Sequence, residues 1–204
     1  MSLNSHKNTV VAASLVFLFS SYNVNAAIDI VTNDKSTSSV LVKSNSENAN
    51  SIALDGLSSG SIIKLENPEC SEGHALYNIF MDEMKDNQTF NLSPLTNLVI
   101  TKITGVSPQM AYQYQDEYRD LFTPIAIQQA EKEIKQLLVP LDTNSTLDLD
   151  SLSFVNANNN QRLNQLLTQL DFEFNADQAI IHDKESGNEL ILPYFGDWSQ
   201  LAFS

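Results

Sequence analysis

Ser58 stands in Gly56-Leu57-Ser58-Ser59-Gly60, the G-x-S-x-G pattern in which a sharp turn presents a serine hydroxyl to a histidine base. Acids and then His182 follow in the chain order used by such hydrolases, which makes Ser58 and His182 the candidate nucleophile and base. The elbow requires strand, turn and helix. Here a second β-type run follows at 62–65, so a turn between two strands accounts for the same residues. Ser61-Ile62-Ile63-Lys64 also spells S-x-x-K, without the S-D-N or K-T-G segments that accompany it in enzymes of that type.

Metal chemistry has one candidate. Asp142, Asn144, Thr146, Asp148 and Asp150 alternate as in a calcium loop, but Leu147 stands where the turn glycine belongs and Ser153 where the bidentate glutamate belongs. That excludes an EF-hand and leaves a looser calcium site at Asp142, Asn144, Asp148 and Asp150, with a solvated loop as the competing reading. His74 and His182 sit in different elements without the spacing of a transition-metal site. No other cofactor is implied.

Tyr114, Tyr118 and Phe122 recur every four residues and would form one stripe along a helix, with Tyr112 to one side. Such a stripe is either core with its hydroxyls at the rim or a platform for a sugar or peptide. The tail gathers Tyr194, Phe195, Trp198 and Phe203, which either fold back on the domain or are offered to a partner. Tyr114, Tyr118 and Trp198 are therefore the binding candidates. Cys70 is the lone cysteine, so no intrachain disulfide can form; it is a small buried hydrophobe, a reactive thiol or half of an intermolecular bridge.

The chain must position these groups with an acidic body. Lys and Arg number 11 against 25 Asp and Glu, a formal net charge of −14. Nucleic acid is excluded as a partner, since its recognition is built on clustered cations. Positions 1–26 read as a signal peptide: Lys7 precedes an apolar run at 10–19, and Val24-Asn25-Ala26 offers small residues for cleavage. That run is too short to cross a bilayer, which takes about 20 residues, and no later run suffices, so no membrane span is expected after cleavage. The compartment expected is therefore outside the cytoplasm: periplasmic, cell-surface or extracellular.

Positions 27–67 alternate β-type runs (28–31, 40–42, 52–54, 62–65) with Ser, Asn and Gly, and predict a small sheet of three or four strands. From 68 to 204 the regime changes. Leu76, Ile79, Phe80 and Met84 are spaced for a helix over 74–85. Ser93-Pro94, Ser107-Pro108 and Thr123-Pro124 each open a helix-periodic run, joining a capping hydroxyl to a proline whose φ already suits the first turn. Glu131 and Lys135 form a helix-supporting pair. Leu163, Leu166, Leu167 and Leu170 predict a further helix, and 179–181 should face 190–192 across a turn at Ser186-Gly187-Asn188.

Asn91-Leu92-Ser93-Pro94-Leu95-Thr96-Asn97-Leu98 resembles the N-[VI]-[ST]-P-L-T-x-L segment of uncharacterised exported bacterial proteins, in which a carboxypeptidase-regulatory-like β domain precedes a helical region. The likeness extends loosely over 163–181. It implies a bacterial envelope or secreted location and supplies no catalytic residues. The expectation is an α+β protein: a central bundle of short helices, a small N-terminal β-sheet and a C-terminal β-hairpin. Its expected role is a non-enzymatic binding or structural module with a protein or glycan partner; the rivals are a small serine hydrolase using Ser58 and His182, and a calcium-stabilised envelope module.

Overall fold

The computed structural model describes residues 28–31, 40–44, 51–52, 57–66, 75–83, 89–141, 152–156 and 161–204. The expected signal peptide, Cys70, His74 and the calcium candidates Asp142, Asn144, Asp148 and Asp150 lie outside these residues. The fold is α+β, with helices packed among small sheets.

Strands β1 (Ile28–Val31), β2 (Val40–Ser44), β3 (Ser51–Ile52) and β4 (Ile62–Glu66) arise from runs rich in β-branched residues. They do not make the one sheet expected of this region. β1 lies parallel to β4, which pairs antiparallel with β5 (Leu76–Ile79). β2 lies parallel to β3 and antiparallel to β6 (Thr89–Leu92). The parallel pair of β1 and β4 cannot be closed by a tight turn; the long stretch of chain between them makes the crossover, and β2 and β3 lie within it. Both sheets take their third strand from beyond position 67.

The helix expected over 74–85 is not formed among its described residues, 75–83: Leu76–Ile79 is strand β5. Tyr77, Asn78, Ile79, Phe80 and Met81 are all buried, so both faces of the strand are covered. A strand buried on both sides reads as a continuous apolar run, which periodicity alone does not separate from a helix. What settles it is the edge of β5. The next helix, α1 (Pro94–Thr104), lays its first turn there. The Asn97 carboxamide accepts the Tyr77 N–H at 2.7 Å and donates to the Ala75 carbonyl at 3.0 Å, and the Thr96 hydroxyl donates to the Tyr77 carbonyl at 2.5 Å. These side chains stand where a neighbouring strand would, and they leave the edge satisfied.

All three Ser/Thr-Pro dipeptides start helices. Ser93 caps α1 in a reciprocal box with Thr96; Ser107 accepts the Met110 N–H at the head of α2 (Pro108–Gln113); Thr123 accepts the Ala126 N–H at the head of α4 (Pro124–Leu138). Gly105 ends α1 in the left-handed conformation at φ 71°. The helix expected from Pro108 through Phe122 is broken. Tyr114 leaves helical geometry at φ −116°, ψ 33°, and the chain continues as the one-turn α3 (Gln115–Tyr118) and a 3-10 turn at Arg119–Leu121. The inward face is the Ala111–Gln115 side, where Gln115 is buried and accepts the Ile62 N–H at 3.2 Å. The stripe Tyr114, Tyr118, Phe122 is therefore not one surface: Tyr114 is half-exposed, Tyr118 packs against the core and Phe122 is buried.

Glu131 is drawn inward from α4. Its Oε1 accepts the N–H groups of Phe154 and Val155 at 2.7 and 3.0 Å and the Ser153 hydroxyl at 2.9 Å. Lys135, one turn on, sets its Nζ 5.7 Å from the Phe154 ring centroid. The pair expected to support the helix thus pins the 152–156 segment to it.

Helix α5 (Gln161–Gln169) leads without a gap into β7 (Leu170–Phe174), which pairs antiparallel with β8 (Gln178–Asp183), and β8 with β9 (Glu189–Pro193). The strands alternate: Leu170, Ala179, Ile181, Leu190 and Leu192 are buried while Asp171, Glu173, Glu189 and Ile191 are exposed. One hydrophobic cluster joins the sheet of β4 and β5, the helices, this meander and Trp198. Among the described residues no helix is long and apolar enough to cross a membrane.

Candidate functional site

The two candidates for nucleophilic chemistry are not brought together. Ser58 is exposed in the turn before β4, where its carbonyl accepts the Ser61 N–H and its hydroxyl meets Ser61 Oγ at 3.5 Å. Gly60, at φ 85°, then passes straight into a strand and not into the helix an elbow needs. His182 lies on the outer face of the C-terminal meander, its Nδ1 3.1 Å from Glu189 and its Nε2 3.4 Å from Glu173. Each group is engaged with its own neighbours and neither with the other.

Trp198 is not offered to a partner. It is fully buried, with its Nε1 donating to the Pro193 carbonyl at 2.8 Å. The reason is the tail: Ser204 and Glu189 exchange both backbone hydrogen bonds, so the chain returns along β9 and the indole is folded inward. Tyr114 and Tyr118 are not among the described residues that line a cleft of ligand size in this structure. Among the described residues no group of three or more His, Cys, Asp or Glu side chains is placed to hold a metal ion.

That cleft has a volume of about 670 Å³ and lies where β4, β5, the first turn of α1, helix α2 and the β7–β8 turn converge. Its size falls within the roughly 300–1,000 Å³ of small-molecule and peptide-fragment pockets. Lys64 and Tyr77 come from adjacent positions of β4 and β5 in one register pair. Lys64 Nζ stands 5.5 Å from the Tyr112 ring centroid, and the Tyr112 and Tyr77 rings lie 5.7 Å apart, tilted at 50°, so a cation and two aromatic rings meet beside the cleft.

Helix α2 contributes a wall: Gln109 and Gln113, both exposed, with Met110. The Ser107-Pro108 start aims this wall, since the cap sets where the helix begins. The opposite side is Phe174, Asn175 and Ala176. Their turn is held by Tyr194, whose hydroxyl donates to the Asn175 carbonyl at 2.8 Å and whose N–H donates to the Asp177 carbonyl. Burial, with the nearby Asp177 charge, pushes the Tyr194 phenol well above its ordinary range, so it stays a donor.

Among the described residues that line this cleft, Lys64 is the one with a charged side chain. The remaining polar side chains are the carboxamides of Asn97, Gln109, Gln113 and Asn175 and the hydroxyls of Tyr77 and Ser107. A carboxamide offers a donor and an acceptor together but neither a nucleophile nor a base at neutral pH, so the arrangement suits recognition. Sequence reasoning passed over Gln109, Gln113 and Asn175. The signals within reach were the capped start at Ser107 and the acidic strand ending at Phe174, and neither says that the two meet. No protein-family model, curated protein or solved structure matches this chain.

Proposed function

We propose that this protein is an exported, non-enzymatic binding module of the bacterial envelope or secreted fraction, which holds a protein or glycan ligand in the cleft between α2 and the β7–β8 turn. The short helices act as a bundle-like scaffold and the C-terminal strands as a hairpin that carries one rim. The observation behind this reading is the cleft itself: about 670 Å³, and lined among the described residues by carboxamides, aromatics and a lysine. The Asn91-to-Leu98 stretch supports an envelope location through its likeness to exported proteins.

The test is a titration of the isotope-labelled full chain with neutral oligosaccharides and blocked peptides, following the side-chain amide resonances of Gln109, Gln113 and Asn175. Saturable shifts there are expected. A serine-reactive phosphonate adduct on the wild type that is lost in Ser58→Ala would instead establish the hydrolase. Fractionation of the native cell should place the chain outside the cytoplasm.

A further inference from the structure

The C-terminal meander closes one of its edges and leaves the other open. The Asn175 N–H donates to the Gln178 carbonyl and the Lys184 N–H to the Gln169 carbonyl, both at 2.9 Å, which fixes the phase of the β7–β8 ladder. Bonded and non-bonded residues alternate along an antiparallel pair, so Asp171 and Glu173 turn their backbone groups to β8 and Phe172 and Phe174 turn theirs away. β7 is an outer strand of its sheet. The N–H and C=O groups of Phe172 and Phe174 have no hydrogen-bond partner among the described residues. The β9 edge differs: Ser204 exchanges both backbone bonds with Glu189, and the Trp198 indole donates to the Pro193 carbonyl.

An open edge is a template for one more strand. Its side chains select which. A strand laid on β7 sets alternate residues beside Asp171 and Glu173, both exposed, and the others beside Phe172 and Phe174, which are half-buried against the core. The basic groups of β8 and its turn are His182, 3.4 Å from Glu173 and 3.1 Å from Glu189, and Lys184, which donates to the Thr168 carbonyl at 3.4 Å. Asp171, Glu173 and Glu189 outnumber them, so this face keeps an acidic balance.

A second copy of the chain is the wrong partner. Two β7 strands paired antiparallel along their length would set acid against acid, and each chain carries a net charge of −14. We infer that the open edge of β7 takes an extended segment of a partner protein, paired antiparallel, with Lys or Arg beside Asp171 and Glu173 and apolar residues beside Phe172 and Phe174. Antiparallel pairing is the more stable kind and continues the pattern of this sheet. Phe174 also lines the cleft, which joins the edge to it. This rests on the binding-module reading and makes its ligand a protein.

The probes are heptapeptides blocked at both ends, one alternating lysine with valine and one alternating glutamate with valine, added to the isotope-labelled full chain. The lysine peptide should shift the Phe172 and Phe174 amide resonances saturably and slow their hydrogen exchange; the glutamate peptide should do neither. N-methylation of a central valine, whose amide faces β7, should weaken binding about 2–10-fold per bond lost, and N-methylation of a central lysine, whose amide faces away, should not. Asp171→Lys with Glu173→Lys should exchange the two preferences by about tenfold. Glu117→Lys with Asp120→Lys, the same change of charge at two exposed acids elsewhere, should not. Binding of neither peptide, binding that ignores methylation at valine, or a preference reversed equally by both double variants overturns the strand assignment. Dimerisation that protects the Phe172 and Phe174 amides overturns the choice of partner. If both peptides fail while an oligosaccharide shifts the cleft carboxamides, the strand assignment falls and the binding module stands; no ligand in either titration removes both.

Discussion

Lys102 reaches over Trp198, its Nζ 4.8 Å from the indole centroid, while the same ammonium donates to the Gly196 carbonyl at 2.9 Å and pairs with Glu133 at 2.7 Å. One side chain of α1 thus holds the C-terminal tail to α4. Trp198→Ala should cost about 3–5 kcal/mol through the cavity it leaves. Lys102→Met keeps the stem but removes the charge, and should cost about 1–2 kcal/mol. Urea denaturation read by fluorescence and by circular dichroism checks both, and a loss for Trp198→Ala under 1 kcal/mol would contradict the buried placement.

Asn97 and Thr96 seal the edge of β5. Asn97→Ala strands the buried Tyr77 N–H, at about 1–3 kcal/mol, and leaves the half-buried Ala75 carbonyl to water. Asn97→Asp keeps the acceptor and loses the donor, so it should fall between wild type and alanine. Hydrogen exchange at the Tyr77 amide should accelerate in the alanine variant before global stability is exhausted.

Glu131 serves three donors with one oxygen. Glu131→Ala should free the 152–156 segment, whereas Glu131→Gln retains the carbonyl acceptor and should lose only the charge-assisted part of those bonds. Limited proteolysis near Val155 reports the difference: rapid cleavage is expected in the alanine variant and slow cleavage in the glutamine one.

Gly105 and Gly187 have nearly the same backbone, φ 71° and 75°, in different surroundings. A methyl group on Gly105 would sit 2.4 Å from the Phe195 ring, and one on Gly187 would meet nothing within 4 Å. Both alanine variants pay the left-handed strain of about 1–2 kcal/mol, and Gly105→Ala should lose clearly more. Adding Phe195→Ala should rescue much of that excess in a double-mutant cycle. Equal losses at the two sites would show that the ring simply moves aside.

Stability should bend at both ends of the pH scale. The Ser186 hydroxyl, with the Glu185 N–H, holds Asp183 below its ordinary value; the Ser199 N–H, aided by its hydroxyl and Lys102, does the same for Asp197. A lowered folded pKa adds stability that is present above about pH 4 and lost as pH falls through the folded value. Asp183→Asn with Asp197→Asn should flatten this acid limb. Tyr194 has the opposite sign: its raised pKa means that stability is full below about pH 10 and declines above it, as the unfolded phenol ionises first. Tyr194→Phe should remove the alkaline decline while losing the Asn175 bond.

Local chemistry was legible. Ser93, Ser107 and Thr123 cap their helices because a hydroxyl, a proline and the N–H groups they serve lie within one turn of each other. Helix α5 could be read from the spacing of Leu163, Leu166 and Leu167, each of them buried, while Leu170, which fits the same spacing, opens β7. The strand at 76–79 could not, because a segment covered on both faces has no polar side to set its period. Trp198 was ambiguous for a related reason: an indole in a polar tail packs inward or outward according to what the rest of the chain places beneath it.

The candidate site shows the limit most clearly. Residue types and short spacings were enough to establish an α+β chain, its acidity and the start of α2, since these depend on neighbours in sequence. The cleft joins Lys64, Asn97, Gln109 and Asn175 from four separate segments. Each is an ordinary polar residue in its own stretch. They become a site only when Asn97 and Thr96 lock α1 on β5 and Tyr194 fixes the β7–β8 turn opposite, so long-range hydrogen bonds, not local propensity, decide which carboxamides face each other.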